Sequence, residues 1–208
     1  MAGTILPIVY GERQEGRRDV SVWLHALGAA VGGVAFGAVL GALGALLPRH
    51  GEPIGRAAVL ASMGVAHLIL AQRDLGVWHL RLPESRWQVP RAWRWIFRER
   101  IAAFVYGAAL GVGILTAITS SAVYILIVWI VLTGSPWFGA LLMGTFGIGR
   151  VVPLVALGTV SSNFEQVTQW EDILVRWHPA MAILNGFALA ASGGWLFGVA
   201  TAYAAIHQ

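Results

Sequence analysis

Ile101–Leu132 reads IAAFVYGAALGVGILTAITSSAVYILIVWIVL, an apolar run without one charged residue. As a single straight helix it would measure about 48 Å at 1.5 Å per residue, against a bilayer core of about 30 Å. Its middle is also the wrong chemistry for lipid. Gly111 and Gly113 lead into Thr116, Thr119, Ser120 and Ser121, a cluster of hydroxyls where hydrocarbon should be. A strongly tilted helix is one solution, and a helix broken near Thr116–Ser121 is the other. The break is the favoured reading. It frees backbone amides and carbonyls, so it has to face protein or a watery cavity rather than acyl chains.

The rest of the chain agrees with a membrane setting. Of its 208 residues, 57% are hydrophobic and 12% charged, with a mean hydropathy of +0.70. A soluble domain carries roughly 25% charged residues. All fourteen basic residues are arginine and most flank apolar runs, so the pI of 10.3 speaks for topology and anionic lipid rather than nucleic acid. Cysteine is absent, which removes thiol redox chemistry, cysteine metal sites and disulfides from this chain. No cleavable signal peptide is visible in residues 1–19, which read as a cytoplasmic amino-terminal segment.

The expected fold is all-α, a polytopic helical membrane protein with about five spans in one transmembrane domain over residues 20–208. The spans are placed at about 20–47, 57–80, 101–132, 137–160 and 179–206. The second has a clearly apolar part of only about fifteen residues, so its far end is open. It could run past Arg73 and Asp74, which can pair or snorkel. The first carries Gly28, Gly32, Gly33, Gly37, Gly41 and Gly44, small residues that let another helix approach closely. Residues 161–178 read as a short amphipathic surface helix. Arginines near the span ends divide eleven to two between alternate sides, which puts the amino terminus inside and the carboxyl terminus outside a bacterial-type inner membrane.

Residues 81–100 alternate arginine with tryptophan. Arg86, Trp87, Arg91, Trp93, Arg94, Trp95 and Arg98 suit the headgroup layer, where rings sit at the acyl boundary and guanidinium groups meet phosphates. Membrane lipid is therefore one expected partner.

The span after the GSP turn contains GTFGIGRVVP, Gly144–Pro153, with Arg150 among apolar residues. A guanidinium near mid-bilayer costs on the order of 3 kcal/mol, so it should face protein or water. No acidic residue lies in a clearly defined span to neutralise it, which leaves carbonyls, water, a bound anion or another subunit. Pro153 has no amide donor, so the Gly149 carbonyl loses its helical partner. Arg150 reads either as a substrate or anion contact or as a tie to backbone carbonyls. Thr116, Thr119, Ser120 and Ser121 read either as substrate ligands at the break or as ordinary helix-to-helix bonds. His25 and His67 lie in spans without metal-ligand spacing, so each reads as a buried histidine with a local partner. No metal or cofactor is expected, and no nucleophile–base pair or carboxylate cluster suggests an enzyme.

AVGGVAFGAVLGALGALLP and WFGALLMGTFGIGRVVPLV share spaced glycines, a Phe-Gly pair (Phe36-Gly37, Phe146-Gly147) and a proline near the end. Each precedes a loop with glutamate and arginine and then an apolar helix. This suggests a partial inverted repeat, with LPIVYG (Leu6–Gly11) the remnant of a first broken helix. With GAALGVGILTAITSSAVY (Gly107–Tyr124), FGIGRVVP (Phe146–Pro153) and QVPRAW (Gln88–Trp93), the order of elements resembles the transmembrane thiol-disulfide carriers of the DsbD and cytochrome c-biogenesis type, within the LysE-like group. The resemblance implies the fold. It also implies a membrane cysteine in each broken helix, and here hydroxyls stand near Thr116–Ser121 instead, so electron transfer does not carry over.

Two functions follow from the sequence at nearly equal weight. One is translocation of a small solute, an anion among the candidates, with Arg150, Thr116, Thr119, Ser120 and Ser121 binding it as a monomer or homo-oligomer. The other is a non-catalytic subunit that anchors or stabilises a larger complex of membrane proteins.

Overall fold

In the computed structural model, residues 15–47, 53–80, 82, 96–113, 121–160 and 164–207 are described. Among these the protein is all helix: α1 (Glu15–Ala45), α2 (Pro53–Asp74), α3 (Glu99–Val112), α4 (Ala122–Thr133), α5 (Pro136–Val160) and α6 (Phe164–Ile206). Val20–Ala45, Gly55–Asp74 and Val175–Ile206 are long and apolar enough to cross a membrane. The chain forms two compact units, and α4 and α6 each contribute to both.

The long apolar run is indeed interrupted. α3 stops at Val112, followed by Gly113 at φ 79°, a conformation that glycine adopts without steric cost. α4 begins at Ala122, so the two helices bracket the hydroxyl cluster. At the far end of α4, Gly134 (φ 57°) turns the chain, the Ser135 hydroxyl accepts the Phe138 amide at 3.3 Å, and Pro136 opens α5. Proline suits a first helical turn because its missing amide would be unpaired there anyway.

The first unit is built on α1, α3 and α5, and its contacts are made by glycine. A Cβ on Gly28 or Gly32 would run into the backbone of Phe104 or Ala108 in α3, and one on Gly37 into the Gly139 carbonyl in α5, all closer than 3.0 Å. The fit is reciprocal, because Gly111 of α3 and Gly147 of α5 both meet the Ala29 carbonyl. Small residues allow this backbone-to-backbone approach, in which dispersion and Cα–H···O contacts replace interdigitated side chains. The two glycine-rich helices paired as a repeat in the sequence thus pack on one another. The opposite face of α1 carries exposed Trp23, Leu27, Val31, Val39 and Leu43. This helix presents small residues inward and large apolar ones outward, the arrangement expected where lipid is the solvent.

The second unit comprises α2, the start of α4 and most of α6, around Leu70, Ala71, Ile125 and Leu189. Gly64 and Gly193 let α2 and α6 approach closely. α2 ends at Asp74, where the Leu75, Gly76, Val77 and Trp78 amides fold back onto carbonyls of Ala71, Arg73 and Gln72. The amphipathic segment and last span of the sequence reading form one continuous helix, with Pro179 inside it.

A capped helix break as the candidate functional site

Helix ends leave amides or carbonyls without intrahelical partners, and inside a membrane water is not there to satisfy them. At the break, each described end is met by a charged side chain from another helix.

Arg150 of α5 serves the carboxyl end of α3. Its Nη1 donates to the Leu110 carbonyl at 3.2 Å and to the Gly113 carbonyl at 3.5 Å. The same Leu110 carbonyl accepts the Gly113 amide at 3.1 Å. The guanidinium also lies 5.7 Å from the centre of the Phe146 ring, one turn back on α5. A cation at a helix carboxyl end complements the partial negative charge of its exposed carbonyls. Gly149 has open space around it, so the close packing on α5 lies elsewhere, at Gly139 and Gly147.

Asp74 serves the amino end of α4. Its Oδ2 accepts the Ser121 amide at 3.3 Å, and its Oδ1 accepts the Ser121 hydroxyl at 2.5 Å. Arg73 Nη1 donates to the same Oδ1 at 3.1 Å and to the Ser121 hydroxyl at 2.9 Å, while its Nε holds the Leu80 carbonyl at 3.1 Å. Asn185 of α6 donates its amide to Asp74 Oδ2. The Asp74 side chain is 4% exposed and that of Arg73 20%, so this is an ion pair largely withdrawn from solvent. A buried carboxylate requires this number of donors, because desolvating it alone would cost several kcal/mol.

Of the residues singled out for substrate contact, Ser121 joins Asp74, Arg73 and Asn185, and Arg150 lies in the other unit on α3 carbonyls. Thr116, Thr119 and Ser120 lie outside the described residues, as do Arg86, Trp87, Arg91, Trp93, Arg94 and Trp95. Arg98 is exposed immediately before α3, and its carbonyl accepts the Ala102 amide. His25 and His67 do have local partners. Nδ1 of His25 meets the Ala103 carbonyl at 3.0 Å across to α3, and Nδ1 of His67 meets the Met63 carbonyl at 2.7 Å. No group of three or more metal-ligating side chains occurs among the described residues.

Sequence reasoning missed Asn185, whose signal was a lone amide in the apolar run AMAILNGFALAA. It allowed that Asp74 could pair with Arg73, as it does, but did not foresee its role at the start of α4.

Fold and site together define a helical membrane protein in which charged side chains of α5 and α2 meet the described ends of α3 and α4. The chain belongs to the cytochrome c biogenesis protein transmembrane region family, whose model matches residues 1–188. It is similar to the methylamine utilization protein MauF of Methylorubrum extorquens, 32% identical over 83% of this chain and 58% of that one. The same protein of Methylobacillus flagellatus is 31% identical over 85% of this chain and 60% of its own length. That of Paracoccus denitrificans is 28% identical over 87% and 65%. The chain therefore spans about six-tenths of the length of these relatives. No solved structure matches it.

Proposed function

We propose that this chain is a non-catalytic membrane subunit that stabilises a larger membrane assembly serving methylamine utilization. The observation that carries the reading is that Arg150 and Asp74 are each engaged by the chain itself, Arg150 by α3 carbonyls and Asp74 by Arg73, Ser121 and Asn185. Broken helices of solute carriers direct their free ends at the transported ion. Here the described ends are directed at side chains. The absence of cysteine supports the same reading, since it leaves no thiol to pass electrons between the faces of the membrane. The names of the relatives supply the physiological setting.

The second reading, a small-solute carrier binding at Arg150, Thr116, Thr119, Ser120 and Ser121, draws on the interruption between α3 and α4. The two readings separate on Arg150→Ala introduced at the native locus. A cap loses about 1–3 kcal/mol when its charged donor goes, because hydrogen bonds to a charged group are among the stronger ones. The subunit reading therefore expects the variant's abundance in the membrane to fall several-fold, with methylamine-dependent growth falling in proportion. Normal abundance with methylamine growth abolished would favour the carrier. Normal abundance with normal growth would exclude both roles for Arg150.

A further inference from the structure

Pro153 lies inside α5 and has no amide, so the Gly149 carbonyl lacks the donor that would close its helical turn. α5 runs for 25 residues and Gly149 stands just past its midpoint, which places this oxygen deep in the bilayer. It also lies on the outer side of the helix. Gly139, Met143, Gly147 and Val151 form the packed face of α5, whereas Thr145, Ile148, Gly149, Val152 and Pro153 are exposed. A Cβ built on Gly149 meets nothing within 4 Å. In hydrocarbon an unpaired carbonyl is costly, and one freed by proline in a membrane helix is met by a hydroxyl, a water or a neighbouring helix. The Thr145 hydroxyl, one turn back on the same face, is committed elsewhere, since it donates to the Leu141 and Leu142 carbonyls at 2.9 Å. Pro179 of α6 shows the contrast. It frees the Val175 carbonyl, but Val175 opens the apolar part of that helix, where water and headgroups supply donors.

We propose that this face of α5 is the docking surface for a transmembrane helix of another chain, which crosses over Gly149 and donates a hydrogen bond from a neutral side chain to its carbonyl. Polarity selects the occupant. Acyl chains carry no donor, so lipid does not complete the surface. Arg150 follows Gly149 in the chain, so a lysine or arginine would bring like charge close to the guanidinium where little water screens it. Serine, threonine, asparagine or glutamine remains. The missing side chain at Gly149 lets the partner's backbone come close, and the half-exposed Ile148 and Val152 flank it with apolar contact area. A second copy of this chain fits less well. The exposed hydroxyls it would bring, on Thr133, Thr145 and Thr201, each donate to a carbonyl of their own helix. This inference rests on the subunit reading and gives that subunit a contact surface.

Photoactivatable benzoylphenylalanine placed at Thr145 of the full chain, expressed in its own organism, tests this in the native membrane. The expected result is an adduct with another membrane protein, mapped by mass spectrometry to a transmembrane helix with serine, threonine, asparagine or glutamine within one turn. Pro153→Ala gives the Gly149 carbonyl an amide of its own helix. It should cut the adduct about five-fold, the worth of one hydrogen bond, while raising the Tm of the purified chain in lipid nanodiscs. Gly149→Leu should abolish the adduct by filling the approach, with the Tm of the purified chain unchanged. An adduct with a second copy of this chain, adducts with lipid only, or a protein adduct undiminished in both variants overturns the proposal. The same probe at Leu43 of α1 and Phe187 of α6 separates it from the subunit reading. Adducts with other chains there but none at Thr145 would keep the subunit and remove this surface, whereas no adduct with another chain at any of the three positions would remove both.

Discussion

Replacing Gly37 with valine is expected to abolish accumulation of the folded chain. The side chain would enter the space held by the Gly139 carbonyl on α5, and backbone cannot rotate aside as a long side chain can. α1 and α5 would have to separate along their length, undoing the neighbouring fit of Gly33 against Met143 and Gly41 against Ser135. Overpacking a close-packed interior costs about 1–3 kcal/mol even where side chains can shift, and a backbone clash lies at or above the top of that range. Gly149→Ala and Gly198→Ala are the matched comparison, because a Cβ at either position meets nothing within 4 Å. Those two should be neutral, or stabilising by up to about 1 kcal/mol through helix propensity. Fluorescence-detected size exclusion of the three variants reads the contrast directly. Equal yields for Gly37→Val and Gly149→Ala would mean that the glycines of α1 do not set the helix contact.

Asp74→Ala should lower Tm by about 10 °C relative to the native chain, because breaking a buried pair costs about 3–5 kcal/mol. The loss arises from what is left behind. Arg73 keeps its charge in a partly buried place, and the Ser121 amide and the Asn185 amide lose their acceptor. Arg73→Met combined with Asp74→Leu should therefore cost less than Asp74→Ala alone, since removing both charges leaves no unpaired ion. A double variant less stable than the single one would mean that the pair contributes by attraction rather than by mutual neutralisation. Thermal melts of the three purified chains distinguish these outcomes.

How much of this was legible in the sequence depends on the range of the interaction. The break between α3 and α4 could be read locally, because glycines and hydroxyls sit together inside a run too long for one span. The glycine face of α1 was legible from spacing, which called for a closely approaching helix. The structure gives it one protein face and one exposed apolar face, because large residues such as Leu27 and Leu43 occupy the far side. The caps were legible only in part: a tie of Arg150 to backbone carbonyls was one of the two readings, but which carbonyls it would meet was not. Arg150 bonds to backbone carbonyls, which carry no residue signature, from 37 and 40 positions away. Asp74 lies at the end of a short apolar stretch, where its pairing with the neighbouring Arg73 could be read but its distant partners could not. Its partners lie 47 and 111 positions along the chain. The end of α2 was uncertain for the same reason: the helix stops at Asp74, which is held by α4 and α6. Continuity of α6 through Pro179 was hidden because proline usually ends or kinks a helix.

The central claim is that this chain works as a part of something larger, with Arg150 and Asp74 each engaged by the chain itself at a helix end. The mass of the native particle tests that most directly. Extracted from its own organism in a mild detergent and measured intact by mass spectrometry, the particle should have a mass that copies of this 22.3 kDa chain alone do not add up to, and contain other membrane chains. A particle made of this chain alone, as a monomer or homo-oligomer, would contradict the account and return Arg150 to the role of a solute contact.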